Sequence, residues 1–467
     1  MSFAVDVDQL VGGTFWDPAG GPTQADLAPY DFTRPRLRAL AQALAPAYLR
    51  LGGSAADETY YDLSNTPVES PPAPYKEVLT RAEWDGAMDF ARALGLDVIV
   101  TLNAGPGPRD AGGVWTDANA RELLDHAAAR GDPVAVLEWG NEPNLFALRA
   151  GVPSYTAAEY ARDFAEFRAL CDAVLPAARV AAPGTIFTRT LDDNVFGTIA
   201  FGPRLRDLLP LVGTGTDLVT YHYYAAISSR CPSLVRVTPE TALDAAYLDG
   251  IDEPIASVGG LRDQHAPGTP IWNMESGGQS CGGQVGIADR FLNSFWYLNT
   301  LGRMARAGHQ VFVRQTLSGS TYGLVDDVTL LPRPDYWAAL LWRRLMGSRA
   351  LALDTSGIDP AIRLFAHCQR DGAPGAVTVL ALNTSRDRAA RLGVRGVGAA
   401  RPAQLYQVTA AGSDAQQVSL NRQPLEAGPD GTPPALTPRS LRRRVTLPPL
   451  SYAFVVMPKA RVAACRP

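Results

Sequence analysis

The sequence predicts a (β/α)8 TIM barrel followed by a C-terminal all-β sandwich. Three observations predict it. Short apolar, β-branched runs alternate with amphipathic stretches up to about residue 345; such runs number eight; and the helical periodicity stops beyond Met346. The expected division is 1–346 for the barrel and 347–467 for the sandwich, with the extreme N-terminus a possible extra partner for the sandwich.

In chain order the strands are expected at Ala4–Leu10, Ala47–Leu51, Asp97–Leu102, Val134–Trp139, Arg179–Ala182, Asp217–Tyr221, Pro270–Met274 and Gln310–Arg314. Each is a short run bounded by turn residues, too brief for a helix. Helical spacing of apolar residues marks Arg36–Leu44, Arg81–Leu94, Ala118–Ala129, Ala157–Val174, Asp289–Ala307 and Tyr336–Leu345. Ser64–Thr80, with four prolines, reads as a loop. After Met346, Ala376–Asn383 and Tyr452–Met457 read as strands, and Pro424–Pro438, with five prolines, as a long polar loop.

A length of 467 residues suits a barrel with an appendage, and 46% hydrophobic with 19% charged residues describes a chain able to bury a large core. A net charge of −4 advertises no nucleic-acid partner, and no apolar run approaches the roughly 20 residues of a membrane span. Of 43 basic residues only Lys76 and Lys459 are lysine; arginine forks suit carboxylate and sulfate, though the bias also fits a composition rich in Ala, Gly, Pro and Arg. Met1-Ser2-Phe3-Ala4 has neither a charged nor an apolar leader region, so the protein is expected to be cytoplasmic or to have lost its signal. Five cysteines (Cys171, Cys231, Cys281, Cys368, Cys465) and five histidines show no metal-ligand spacing, so no metal and no cofactor are expected.

The chemistry concentrates at two strand ends. Val136-Leu-Glu-Trp-Gly-Asn-Glu-Pro-Asn144 places Glu142 at the tip of strand four, and Thr269-Pro-Ile-Trp-Asn-Met-Glu275 places Glu275 at the tip of strand seven. Barrel enzymes carry their catalytic groups at that face, and tips four and seven oppose one another across the mouth. Two opposed carboxylates are what glycoside hydrolysis requires, one to protonate the leaving oxygen and one to attack C1 or activate water. A lone rim glutamate is more often an ordinary salt-bridge partner. Glu138, inside the strand, is expected to be one. His222 is expected to be a satisfied rim residue.

Asn141-Glu142-Pro143 resembles the acid/base motif of the large clan of retaining barrel glycosidases, in which the Asn binds the sugar 2-hydroxyl. Leu44–Gly53, Val311–Gln315, Tyr322–Asp326, Pro332–Trp337 and the ending Ser451–Val456 with Ala460–Cys465 are similar to family 79 of the glycoside hydrolases, the heparanases, most closely the bacterial endo-β-glucuronidases. The resemblance runs from near residue 4 to the last cysteine. It implies Glu142 as acid/base and Glu275 as nucleophile. It also implies a substrate-binding set of Asp8, Ser54 (where the animal enzyme has threonine), Asn141, Gly282, Gly283, Gln315 and Tyr322. A one-residue register change in the glycine loop would bring in Cys281. One of Tyr223 or Tyr224 is implied to touch the nucleophile, with Tyr223 preferred. Uronate selection would come from the glycine-loop amides and the Tyr322 hydroxyl.

The same resemblance pairs Cys368 with Cys465. Cys231 and Cys281, on adjacent barrel-tip loops, form a possible second bridge, and disulfides would argue for a secreted or periplasmic home. Asp62–Thr80 is short where the animal enzyme has an excised segment, which implies a single-chain enzyme. Arg109 is a candidate sulfate grip. The partner expected is an acidic polysaccharide substrate such as heparan sulfate, and the protein is expected to be a monomer. The rival readings are an exo-acting β-glucuronidase and, from another class, an inactive carbohydrate-binding protein on the same scaffold.

Overall fold

The computed structural model describes residues 1–467 except 18–20, 22, 150–151, 153–154, 189–201, 394–402, 442–443 and 467. Eight parallel strands close a barrel: β1 (Ser2–Asp6), β2 (Tyr48–Gly52), β3 (Asp97–Leu102), β4 (Val134–Trp139), β5 (Arg179–Thr188), β6 (Leu218–Ile227), β7 (Ile271–Ser280) and β8 (Val311–Arg314). Strand alternation builds two layers inside it. Ala4, Ile99, Val136, Ala181, Leu218, Trp272, Met274 and Val313 fill the bottom as an apolar plug. Further along the strands, Arg50, Thr101, Glu138, His222 and Glu275 make the top layer polar and buried.

The helices between the strands begin and end where local chemistry dictates. Arg81–Leu94 starts at a Thr80–Glu83 capping box and stops at Gly95 in the left-handed conformation. Ala157–Val174 starts at the equivalent Thr156–Glu159 box. The helices Leu205–Val212 and Asp252–His265 lie in stretches where no helix was expected; the first carries an internal Pro210 and the second has only Pro254 and Val258 buried. Both departures blur the periodic signal.

Boundaries differ from expectation at informative places. β1 ends at Asp6, not Leu10, because Asp6 accepts the Asp8 N–H and caps a short helix, Val7–Val11. β5, β6 and β7 run past their expected ends to residues 188, 227 and 280. Within the Ser64–Thr80 loop, Glu77–Thr80 pairs in parallel with Thr59–Asp62. The extreme N-terminus does not pair with the sandwich: Ser2–Asp6 pairs with β2 and β8 of the barrel.

Beyond the barrel, β9 (Met346–Leu351), β10 (Ile362–Gln369) and β11 (Val377–Asn383) open an antiparallel sheet that closes on the last long strand, Ser451–Met457. A two-stranded piece, Ala390–Leu392 with Val445–Leu447, lies over it. β11 is buried along its whole length because both sheet faces are covered. Val377, Val379 and Ala381 pack with Val445 and Leu447 in one core, while Leu380 and Leu382 join the barrel's own core. The appendage is thus fused to the barrel's helical shell, with Thr378 Oγ1 donating to the Leu345 carbonyl at 2.7 Å.

Candidate active site

A cleft of 520 Å³ opens at the C-terminal ends of the strands and is lined by Glu142 and Glu275, among others. Glu142 follows β4 at a backbone with φ 54° and ψ 59°, the left-handed region that a non-glycine residue occupies only where its surroundings hold it. The hold is visible next door. The Asn141 N–H donates to Asp57 Oδ2 at 2.8 Å, and Ala104 N–H donates to the other oxygen at 2.8 Å. Burial pushes the Asp57 carboxyl up to about 8 in spite of those two donors.

Glu275 does not sit at a strand tip. It lies within β7, and a bulge brings it round: Tyr221 pairs with Asn273 but His222 pairs with Glu275, leaving Met274 as the extra residue. Met274 and Glu275 therefore both face inward, the first into the plug and the second into the cleft. Both Glu275 oxygens are held. Arg50 Nη1 donates to Oε2 at 2.7 Å and the Tyr224 hydroxyl donates to Oε1 at 2.7 Å.

Arg50, fully buried on β2, organises the polar layer. It donates to Glu138 Oε2 through Nε at 2.9 Å and Nη2 at 2.7 Å, and to Asn141 Oδ1 at 3.0 Å. Glu138 is the structural ion pair expected. Burial alone would raise its pKa, but Arg50, His222 and Thr101 outweigh this and hold it down at about 2. With its oxygen on Arg50, Asn141 keeps its amide nitrogen for a ligand hydroxyl.

His222 is not on the rim. It is fully buried on β6, with Nδ1 3.1 Å from Glu142 Oε1 and Nε2 3.8 Å from Glu138 Oε1. Burial disfavours its charge, yet Glu275, Glu138 and Glu142 outweigh burial and raise its pKa to about 9. At neutral pH it is an imidazolium touching Glu142. One ligand atom each from Glu142, His222 and Glu275 lies within 4.8 Å of the others. Both Glu275 oxygens in that cluster already accept a hydrogen bond, from Arg50 and from Tyr224.

The remaining expected residues are placed as follows. Asp8, in the first turn of Val7–Val11, lines the cleft; burial and then Glu77 and Glu58 raise its pKa to about 7. Ser54 lines it too, after Gly53 at φ 105°, where an added Cβ would stand 2.3 Å from the Asp6 carboxylate. Gln315 donates to Asp6 Oδ2 at 2.7 Å, and Tyr322 lines the same wall. Two expectations need correcting. Tyr224, not Tyr223, touches Glu275: with Leu218 facing the plug, period-two alternation turns His222 and Tyr224 inward and Tyr223 out into the helix-packed core. In the glycine loop, the Gly283 N–H is taken by the Ser280 carbonyl at 3.3 Å, and Gly283 does not line the cleft. Cys281 does line it, whereas Gly282, like Gly283, does not; the Cys281 and Gly282 N–H groups have no backbone partner among the described residues. These two successive residues have φ 54° and 76°, an arrangement that converges N–H groups on an anion.

Arg109 is no sulfate grip. Its guanidinium is consumed by Asp163 at 2.7 Å and by the Gly105, Gly113 and Ala104 carbonyls. Both disulfides are formed, Cys231–Cys281 and Cys368–Cys465, and Cys171 is free and buried. Among the described residues no helix is long and apolar enough to cross a membrane. Arg50, Asp57 and Tyr224 are the residues that sequence reasoning missed or misplaced. For Arg50 there was a signal, an arginine between leucines in a predicted barrel strand.

Residues 21–302 match the model of the glycosyl hydrolase family 79 N-terminal domain. Heparanase-like protein 1 of Arabidopsis thaliana is 29% identical, over 93% of this chain and 86% of its own length. Heparanase of Mus musculus is 29% identical, over 92% and 87%. Baicalin-β-D-glucuronidase of Scutellaria baicalensis is 27% identical, over 90% and 82%. Among solved structures, a 4-O-α-L-rhamnosyl-β-D-glucuronidase of Fusarium oxysporum superposes with a TM-score of 0.62 at 18% identity, covering 91% of this chain and 92% of that one, a likeness of fold.

Proposed function

The chain belongs to glycosyl hydrolase family 79, and from that premise we propose that it is a retaining, endo-acting β-glucuronidase cleaving glucuronate linkages in heparan sulfate or a related acidic polysaccharide. One observation carries the mechanism: Glu142 and Glu275 bring carboxylate oxygens within 4.8 Å of each other. Retaining pairs stand about 5–5.5 Å apart, whereas inverting pairs leave about 6.5–9.5 Å for a water.

In this reading Glu142 protonates the leaving oxygen as Glu275 attacks C1 and forms the glycosyl-enzyme. Arg50 and Tyr224 fix the Glu275 carboxylate for in-line attack. Glu142, now a carboxylate beside the His222 imidazolium, then takes a proton from the water that releases the sugar. The Asn141 amide would bind the 2-hydroxyl, where hydrogen bonds strengthen in the oxocarbenium-like state. Asp8, Ser54 and Gln315 would position ring hydroxyls. The Cys281 and Gly282 amides, with the Tyr322 hydroxyl, would bind the carboxylate. Two disulfides support a secreted or periplasmic home.

The glucuronidase from Scutellaria supports a second reading, exo-release of terminal glucuronate. The test has two arms. On an aryl β-glucuronide, Glu142→Gln and Glu275→Gln should each lose at least about a thousandfold in kcat; wild-type-like rates would remove the mechanism. Size analysis of heparan sulfate digests then separates the modes, with oligosaccharides early for endo action and free glucuronate alone for exo action.

A further inference from the structure

We propose that Arg230 is the fixed counter-charge for the substrate carboxylate and so determines the preference for uronides; this rests on the uronide reading above. The first observation is an arginine without its usual partner. Arg50, Arg109, Arg314 and Arg333 each meet a carboxylate within 3.1 Å. Arg230 instead donates to Ser320 Oγ at 2.7 Å, Thr321 Oγ1 at 3.1 Å and the Asp17 carbonyl at 3.4 Å, and its buried Nε has no partner. Among the described residues no carboxylate lies within ion-pair distance of it. A half-buried guanidinium left in that state is costly: burial pulls its pKa down, and the Asp17 charge, beyond ion-pair distance, only partly opposes this. An anion arriving nearby would offset that cost.

The second observation is where the guanidinium sits. Cys231, the next residue, is bonded to Cys281, so Arg230 is tied to the glycine loop. A Cβ placed on Gly282 would stand 2.2 Å from Arg230 Nη1 and 2.6 Å from Ser320 Oγ, so only glycine fits beside this arginine. Ser320 Oγ, held by Arg230, donates to the Gly282 carbonyl at 3.0 Å, and the Thr321 and Tyr322 N–H groups donate to the same oxygen at 3.0 and 3.2 Å. That carbonyl is therefore turned toward residues 320–322, while the Cys281 and Gly282 N–H groups have no partner among the described residues.

A carboxylate seated on those two amides would share Gly282 with the Arg230 guanidinium, a half-buried charge that is screened less than one in bulk water. Arg230 need not touch the sugar. It sets the potential of the carboxylate site and the orientation of its amides, and a neutral hexose gains nothing from the first.

The test compares wild type, Arg230→Gln and Arg230→Lys on 4-nitrophenyl β-D-glucuronide and 4-nitrophenyl β-D-glucoside, with Ki measured for free glucuronate and free glucose. Arg230→Gln should lower kcat/KM on the glucuronide about tenfold or more, mainly through KM, and leave the glucoside rate unchanged. The Ki for glucuronate should rise in step and that for glucose should not. Arg230→Lys, which keeps the charge, should recover part of the glucuronide rate and carries the comparison if the glutamine variant folds poorly. Equal losses on both glycosides, or an unchanged glucuronide KM in both variants, overturns the proposal. A wild type that cleaves neither glycoside, or prefers the glucoside, instead overturns the uronide reading and the inference with it.

Discussion

Tyr223 and Tyr224 are adjacent aromatic residues on one strand, yet only the second has chemistry to do. Its hydroxyl donates at 2.7 Å to an oxygen of Glu275, the proposed nucleophile. A hydrogen bond to a charged group contributes about 1.5–3 kcal/mol. Tyr224→Phe should therefore lower kcat about tenfold to a hundredfold on an aryl glucuronide, whereas Tyr223→Phe, altering a ring in the outer core, should leave kcat within about twofold. Steady-state kinetics of the pair decides it, and the reverse ranking would sink the assignment. The choice was within reach of the sequence: once Leu218 faces the plug, alternation carries His222 and Tyr224 inward. What defeats simple counting is the bulge at Met274, which lets two consecutive residues face the interior and cannot be read from composition. Arg50 was legible only as an anomaly. A buried arginine between leucines implies partners, but Glu138, Asn141 and Glu275 come from other strands, and nothing in the local sequence names them.

At the scale of elements, helices with strong caps and clear amphipathic spacing were legible to the residue. Arg81–Leu94 and Ala157–Val174 begin at capping boxes, and both match their expected bounds. Strand lengths were not. β7 outruns its expected end because its cleft-facing stretch carries Ser, Gly and Gln, residues that read as loop. The C-terminal element is the short turn Ala463–Cys465, which buries no residue and is pinned to β10 by the Cys368–Cys465 bond. With its ends 97 positions apart in sequence, that bond removes much loop entropy from the unfolded chain, and losing such a bond costs about 2–5 kcal/mol. The double variant Cys368→Ser/Cys465→Ser should melt several degrees lower while its kcat stays at the wild-type value, because the bond is remote from the cleft. Melting curves with and without reductant check this; an unchanged Tm would show the turn is held by its backbone hydrogen bonds instead.

For the whole molecule, the barrel's polar layer makes stability depend on pH in a direction that can be worked out. Glu138 is held at about 2, below its ordinary 4.5, so it adds stability that is present above pH 4.5 and lost as pH falls through about 2. His222 is raised from 6.5 to about 9, so its contribution is complete below pH 6.5 and lost as pH rises through about 9. Asp57, raised from 3.8 to about 8, acts in the same sense as His222, since the fold favours its protonated form. The three together place the stability maximum at about pH 4, between the ordinary values of Asp57 and Glu138, with a decline above it that is due to Asp57 alone at first and steepens above pH 6.5 as His222 joins it. That acidic optimum arises from the same charges that arm the site: His222 is an imidazolium because three glutamates surround it, two of them the proposed catalytic pair. Tm should fall across pH 5 to 9.5, most steeply between pH 6.5 and 8, where Asp57 and His222 both lose their protons. His222→Asn should flatten the fall between pH 6.5 and 9, leaving the shallower part due to Asp57. A wild-type Tm that rises toward pH 9, or an identical slope in the variant, would mean that the imidazolium is not the charge on which the layer closes.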